Sequence, residues 1–385
     1  MKNKHFVASP GGDMLRGVQR IAGRGVSVLA ALACAACAGV GPGYYWQAMS
    51  GQIDVMWRAE DVQSIERSHA THSDLRDRLV LAEHLRAYAT SELGLPDNGS
   101  YRRYADLQRP YVAWNVFATP ALSMQPHEWC LPVAGCVSYL GFFSEADARA
   151  KADELRRQGM DVYVGGVPAY STLGWFDDPL LNTFINWPEP ELARLIFHEL
   201  SHQLLYVKND TEFNESFAAT VEEAGVRRWL SQPGRESMLA QFEASQRRRD
   251  DFAALVLDYR KKLAALYGSA ASDEDKARGK HDLIAQLGAT YARIRDERWG
   301  GFAGYDRWFA QDINNATLAS IGLYRGLVPG FSAVLAEEGA DLGRFYARVK
   351  KIAAMPEPDR RTALVQAQHA QAARNAAQPP RAPNL

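Results

Sequence analysis

Residues 192–207, LARLIFHELSHQLLYV, are apolar on nearly every face of a helical wheel. A helix of that kind is buried. It nevertheless carries His198, Glu199 and His202 at its middle, where an unpartnered polar side chain costs roughly 1–3 kcal/mol. The fold must therefore bring partners to these three groups. His198 and His202 lie one turn apart, so both imidazoles leave the same face. This is the H-E-x-x-H arrangement, which offers two nitrogen ligands to one metal ion and aims the intervening glutamate at the metal's water. The spacing points to zinc.

A catalytic zinc keeps three protein ligands and one open position. The segment Val207-Lys208-Asn209-Asp210 breaks the first helix. Asp210 or Thr211 can then cap a second one, which runs to about Leu230 and stops before Pro233-Gly234. His202 lies about five residues before the break, or roughly 7.5 Å of rise, and Glu215 about three residues into the second helix, or roughly 4.5 Å. If the helices return antiparallel, the two side chains come almost level. Glu215 is the expected third ligand, with Glu212 and Glu222 as the alternatives. Glu222, two turns after Glu215, either supports a ligating histidine or makes a core contact.

The rest of the chain frames this pair. Helical spacing runs from the segment GYYWQAMSGQIDVMW to about Leu93, and His69, His72 and His84 within it read as surface residues. YVAWNVFATP from Tyr111 and VSYLGFF read as strands, followed by a helix with Ser144 as its N-cap. MDVYVGGVPAYSTLG reads as a strand pair or a bent edge strand, broken at Gly165-Gly166. Beyond Gly234 come a long charged helical hairpin and a more apolar helical group. The tail from Gln366, rich in Ala, Gln and Pro, has little to bury and is expected to be disordered. The expected fold is α+β and mostly helical: a zincin-like core with a small β-sheet beside the H-E-x-x-H helix and an antiparallel ligand helix. The expected divisions are a signal segment 1–37, a helical region 38–110, a catalytic core 111–234, a helical region 235–365 and the tail 366–385.

The net charge of −1 over 385 residues argues against a nucleic-acid binder with a broad basic surface. Arg16, Arg20 and Arg24 precede the short apolar run GVSVLAALACAAC. A bilayer span needs about 20 residues, so this reads as a secretory signal, with Met14 as an alternative start. Cys34 and Cys37 close the run in a context that resembles a bacterial lipoprotein signal. Lipid modification at one of them, ordinary cleavage and an uncleaved anchor are the alternatives. The expected location is outside the cytoplasm, in the periplasm or on the outer membrane through a lipid anchor. In an exported chain Cys130 and Cys136 are expected to close a small disulfide loop around Pro132 and Gly135.

HELSHQ followed by NESFAATVEE resembles the gluzincin zinc aminopeptidases, whose second motif runs Asn-Glu-Gly-Phe-Ala-Ser with Val-Glu soon after. Asn214, Glu215, Phe217, Ala218, Val221 and Glu222 match that order. AYSTLGWFDDPLLN, together with HELSHQ and FNESFA, resembles a bacterial family of aminopeptidase lipoproteins, and the likeness extends to GYYWQA and INNA. The resemblance implies a zinc-dependent aminopeptidase. Two departures stand out. Twelve residues separate His202 from Glu215, fewer than is usual for gluzincins, so the link must be tight. The Gly-Ala-Met-Glu-Asn segment by which many gluzincin aminopeptidases hold the substrate amine is absent.

The expected activity is zinc-dependent hydrolysis of a peptide substrate. His198, His202 and Glu215 hold the metal, and Glu199 is the general base. Tyr170 and Tyr324 are candidate oxyanion donors, and YVGGVPAYSTLG is a candidate edge for an extended peptide. Asp177 and Asp178 are candidates for pairing a substrate amine, unless Asp178-Pro179 merely forms a turn. The alternatives are a zinc endopeptidase of the envelope and a non-catalytic lipoprotein with a structural metal. An intact Glu199 speaks against the latter.

Overall fold

A computed structural model of the chain describes residues 40–131, 135–172 and 174–377, apart from the side chains of residues 323 and 324. The motif helix spans Glu189–Leu204, with Pro188 as N-cap and a proline in the first turn, where a missing N–H removes no helical bond. Every residue from Leu192 to Phe197 is buried. Residues 205–210 then connect it to the ligand helix, Thr211–Leu230. Asn209 takes a φ of 65°, a conformation asparagine tolerates. Asp210, one of the two expected caps, accepts from the Phe213 N–H at 3.2 Å. Asn214 reaches back across the link. Its Oδ1 accepts the Val207 N–H at 2.7 Å, and its Nδ2 donates to the Val207 carbonyl at 2.8 Å. This clamp is how so short a connection closes. Arg194 meets Glu222, His198 meets Glu215 and Glu222, and His202 meets Glu215. Early residues pair with late ones, so the helices are antiparallel.

The sheet beside them has Ala113–Pro120 at its centre, with Leu140–Phe142 and Met160–Val167 antiparallel on either side. Two-residue alternation sorts its faces. Trp114, Val116 and Ala118 pack with Ala148, Ala152 and Leu155 of the helix Glu145–Arg157, which Ser144 caps as expected. Ala113, Asn115 and Phe117 face the other way. Two expectations are corrected. Met160–Val167 runs unbroken through Gly165 and Gly166, which pair with Asn115 and Trp114. These glycines make room rather than break the strand: a Cβ on Gly166 would lie 2.4 Å from the Tyr111 ring. VSYLGFF divides between two sheets. Val137 belongs to Gly135–Val137, which pairs with Trp129–Leu131, while Leu140–Phe142 joins the main sheet. The Cys130–Cys136 disulfide joins paired positions of that hairpin.

The helix Pro42–Arg58 covers the outer side of Leu140–Phe142. Gln47 donates to the Gly141 carbonyl at 3.2 Å and accepts the Phe143 N–H at 2.9 Å. The charged hairpin beyond Gly234 forms the helices Glu236–Tyr267 and Asp273–Glu297, which share an apolar cluster with Ile313 and Leu318. The expectation of a disordered tail is corrected over residues 366–377, which belong to the helix Glu357–Ala377. Leu364 and Ala367, three apart on one face, are buried in the main core, and the Ala/Gln composition favours helix. The signal segment, with Cys34 and Cys37, and residues 378–385 lie outside the described residues. Among the described residues no helix is long and apolar enough to cross a membrane. The architecture is the mostly helical, zincin-like α+β arrangement expected.

Candidate metal centre

The antiparallel pair brings His198, His202 and Glu215 together, with one ligand atom from each and all three atoms within 4.8 Å of one another. His198 Nε2 lies 3.2 Å from Glu215 Oε2 and 3.2 Å from His202 Nε2, and His202 Nε2 lies 3.7 Å from Glu215 Oε2. Two donors bound tetrahedrally at zinc's usual distances stand about 3.3 Å apart. The donor triangle therefore already has the dimensions of one face of such an ion's coordination shell. Two nitrogens and one carboxylate oxygen are also the donor set of catalytic rather than structural zinc.

A second layer fixes the first. Glu222 Oε2 sits 2.8 Å from His198 Nδ1, which orients the ring and leaves Nε2 for the cluster. The other oxygen of Glu222 accepts from Arg194, at 2.8 Å from Nε and through Nη2 as well. Arg194 and Glu222 are both buried. The charges follow from this packing. Burial alone would raise the Glu222 carboxyl, but Arg194 and His198 hold it down to about 2. Burial likewise opposes ionisation of Glu215, and His202 and His198 overcome it, placing this carboxyl well below the usual range. Burial disfavours the His198 imidazolium, yet its bonds to Glu215 and Glu222 raise its pKa well above the ordinary histidine value.

Glu199 lines a cavity of about 590 Å³ shared with the three cluster residues. Its carboxylate takes no hydrogen bond from the described residues. Burial raises its pKa, and the neighbouring His198 and His202 only partly offset this. A raised, uncommitted carboxylate beside a metal site is fitted to accept a proton.

The tyrosines divide differently from the sequence expectation. Tyr170 does line the cavity, but its hydroxyl donates to Gln52. Tyr324 lies on the helix Asn315–Arg325, and its side chain is outside the description. Tyr139 and Tyr206, which sequence reasoning passed over, line the cavity as well. Burial raises the Tyr139 hydroxyl, and the charges of Glu215 and Glu199 push it further. It therefore stays protonated and able to donate. Tyr139 lies in the link between Gly135–Val137 and Leu140–Phe142, and no local sequence signal marks it. Arg194 was also missed, although an arginine four residues before His198 on an apolar helix calls for a buried partner.

Neither candidate aspartate lines the cavity. Asp178 is buried, accepting from Thr172 and, at 3.1 Å, from Gln203. Burial raises its pKa to about 6 against those hydrogen bonds. It ties the loop 171–178 to the motif helix. Asp177 is exposed and lies beside Gly99.

A family model described as "Putative aminopeptidase" matches residues 43–364. The chain belongs to this family. The matched span takes in the sheet, both helices of the metal centre and the C-terminal helical regions up to Leu364. No curated protein and no solved structure matches the chain. Family membership and the His-His-Glu cluster together support a zinc-dependent hydrolase of the metallopeptidase type.

Proposed function

We propose that this protein is a zinc peptidase in which His198, His202 and Glu215 hold the ion and Glu199 is the general base. The observation that carries this reading is the donor triangle, spaced for one tetrahedral ion, with an uncommitted glutamate in the same cavity. Zinc bound there supplies a Lewis acid that acidifies a water and polarises a carbonyl. Glu199 receives the proton of the attacking water and passes it to the leaving amine. Glu222, braced by Arg194, keeps the His198 ring in place. Tyr139 is the better donor for the developing oxyanion, because the Tyr170 hydroxyl is already committed to Gln52.

The peptide has a place to bind. Met160–Val167 is an edge strand, and Gly166, Val167 and Pro168 line the cavity. The Val162 carbonyl on the outer edge accepts from Asn314 at 3.2 Å. By two-residue alternation Val164 and Gly166 also turn their backbone groups outward. An extended chain can add there by main-chain hydrogen bonds.

One observation favours a second reading on which bond is cut. An aminopeptidase must pair the substrate α-ammonium with a carboxylate. Among the described residues the only carboxylates on the cavity wall are Glu199 and Glu215, both already engaged in the proposed chemistry. This supports cleavage at internal bonds, whereas the family description supports cleavage from the amino end. The test compares a peptide with a free N-terminus against its N-acetylated form, each with and without a chelator. Equal, chelator-sensitive rates support the endopeptidase. Selective hydrolysis of the free-amine form supports the aminopeptidase. No hydrolysis of either by metal-loaded protein removes the peptidase reading.

A further inference from the structure

The first helix carries an apolar stripe that the fold leaves uncovered. Trp46, Met49, Ile53 and Trp57 are 69%, 54%, 50% and 86% exposed. At 100° per residue, as 3.6 residues per turn require, they fall within a single arc of about 80°. Inward-facing residues of the same helix are engaged: Val55 is buried, Gln47 bonds the sheet, and Tyr44 and Ala48 line the active cavity. The helix is therefore held by the fold on one side and presents two tryptophans, a methionine and an isoleucine to the outside. Exposed apolar side chains singly need no explanation, but a continuous stripe of large ones marks a contact surface.

Its place in the chain says what covers it. The run GVSVLAALACAAC ends at Cys37, and the helix begins at Pro42. From Cys37 the four intervening residues, 38–41, reach at most about 14 Å, and from Cys34 the seven residues 35–41 reach at most about 25 Å. Any lipid carried on Cys34 or Cys37, or an uncleaved apolar segment, would hold this helix against the bilayer surface. Tryptophan is the side chain best suited to the headgroup boundary. The helix is too short and one-sided to span a bilayer. Its one basic residue, Arg58, is already paired with Asp54, so the stripe has no electrostatic need for anionic lipid.

We propose that the outer face of helix Pro42–Arg58 lies in the interfacial layer of a lipid bilayer, with Trp46 and Trp57 as its anchors. Because the other face of that helix walls the cavity, the active site is held about one helix diameter, ~10 Å, from the lipid. The accessible substrates are then peptides at or near the membrane surface.

The test uses the full chain bound to neutral phosphatidylcholine vesicles, with and without acyl-brominated lipid, which quenches tryptophan only at contact range. Residues 1–39 contain no tryptophan, so the N-terminal segment cannot contribute. Wild-type fluorescence should be quenched in brominated vesicles. The Trp46→Phe/Trp57→Phe double variant, altered only at exposed positions, should lose most of that quenching, and replacing anionic for neutral lipid should change neither result. Quenching that is absent in the wild type, or that survives in the double variant, overturns the proposal. So does a lipid-independent blue shift that grows with protein concentration, which would mean that a second copy covers the stripe. Circular dichroism and zinc content should match between the two proteins. The readout does not depend on peptidase activity.

Discussion

Glu222→Gln separates a positioning role from a ligand role. A glutamine has one oxygen and one NH2. If the oxygen stays on Arg194, which donates from both Nε and Nη2, the NH2 faces His198 Nδ1 and makes that nitrogen an acceptor. The neutral ring then prefers its proton on Nε2, the atom that faces Glu215 and His202, and must change tautomer before Nε2 can bind a metal. The reverse orientation leaves the buried Arg194 facing a donor. Loss of such a support typically weakens metal affinity 10–100-fold, or about 1.4–2.7 kcal/mol. Breaking a buried ion pair outright costs roughly 3–5 kcal/mol of stability. Because the amide oxygen still accepts from Arg194, the lower end, about 3 kcal/mol, is expected here. The assay is zinc affinity by competition with a chromophoric chelator, paired with denaturant melts of the metal-free protein. A Glu222→Gln protein within twofold of wild type in zinc affinity would refute the claim that Glu222 sets the His198 tautomer.

Glu222 ionises at about 2, well below the ordinary glutamate value of 4.5, so its contribution to stability is full above about 4.5 and is lost as pH falls toward 2. The stability gap between metal-free wild type and Glu222→Gln should therefore narrow over that window in acid melts, and a constant gap would contradict the assignment. Its bonds to Glu215 and Glu222 raise the His198 pKa well above the ordinary histidine value, so zinc, which needs the neutral ring, should release protons as it binds. Binding heats that do not vary with the buffer's ionisation enthalpy would count against it. Asn214→Ala leaves the Val207 N–H and carbonyl without their partner, which should cost roughly 1–3 kcal/mol by denaturant titration and also weaken zinc binding. An unchanged melt would show that the clamp is not what closes the link.

The His198–His202–Glu215 cluster was legible because its parts are local. His198, Glu199 and His202 sit on one helix, and the break at Val207–Asp210 with Glu215 beyond it follows from cap and turn chemistry. Local signals likewise placed the Ser144 cap and the short Cys130–Cys136 loop. What escaped depends on distant partners. Nothing near Tyr139 says that it faces the cavity, because it lies in the short link between Gly135–Val137 and Leu140–Phe142, whose pairing with different strands places it. Gly165-Gly166 read as a break because glycine usually interrupts a strand. Here the neighbouring Tyr111 ring needs the space of the missing side chain. The helix past Gln366 was hidden by a composition with few large apolar residues. Leu364 and Ala367 are enough, because the main core is already there to receive them.

The most direct test of the account is the turnover of zinc-loaded Glu199→Gln on a peptide that the wild type cleaves. The substitution is nearly isosteric and removes only the proton acceptor. The account predicts one zinc per chain in both proteins, an unchanged fold, and a kcat lower by about 10²–10⁴-fold. A Glu199→Gln protein that retains its zinc and turns over at the wild-type rate would contradict it.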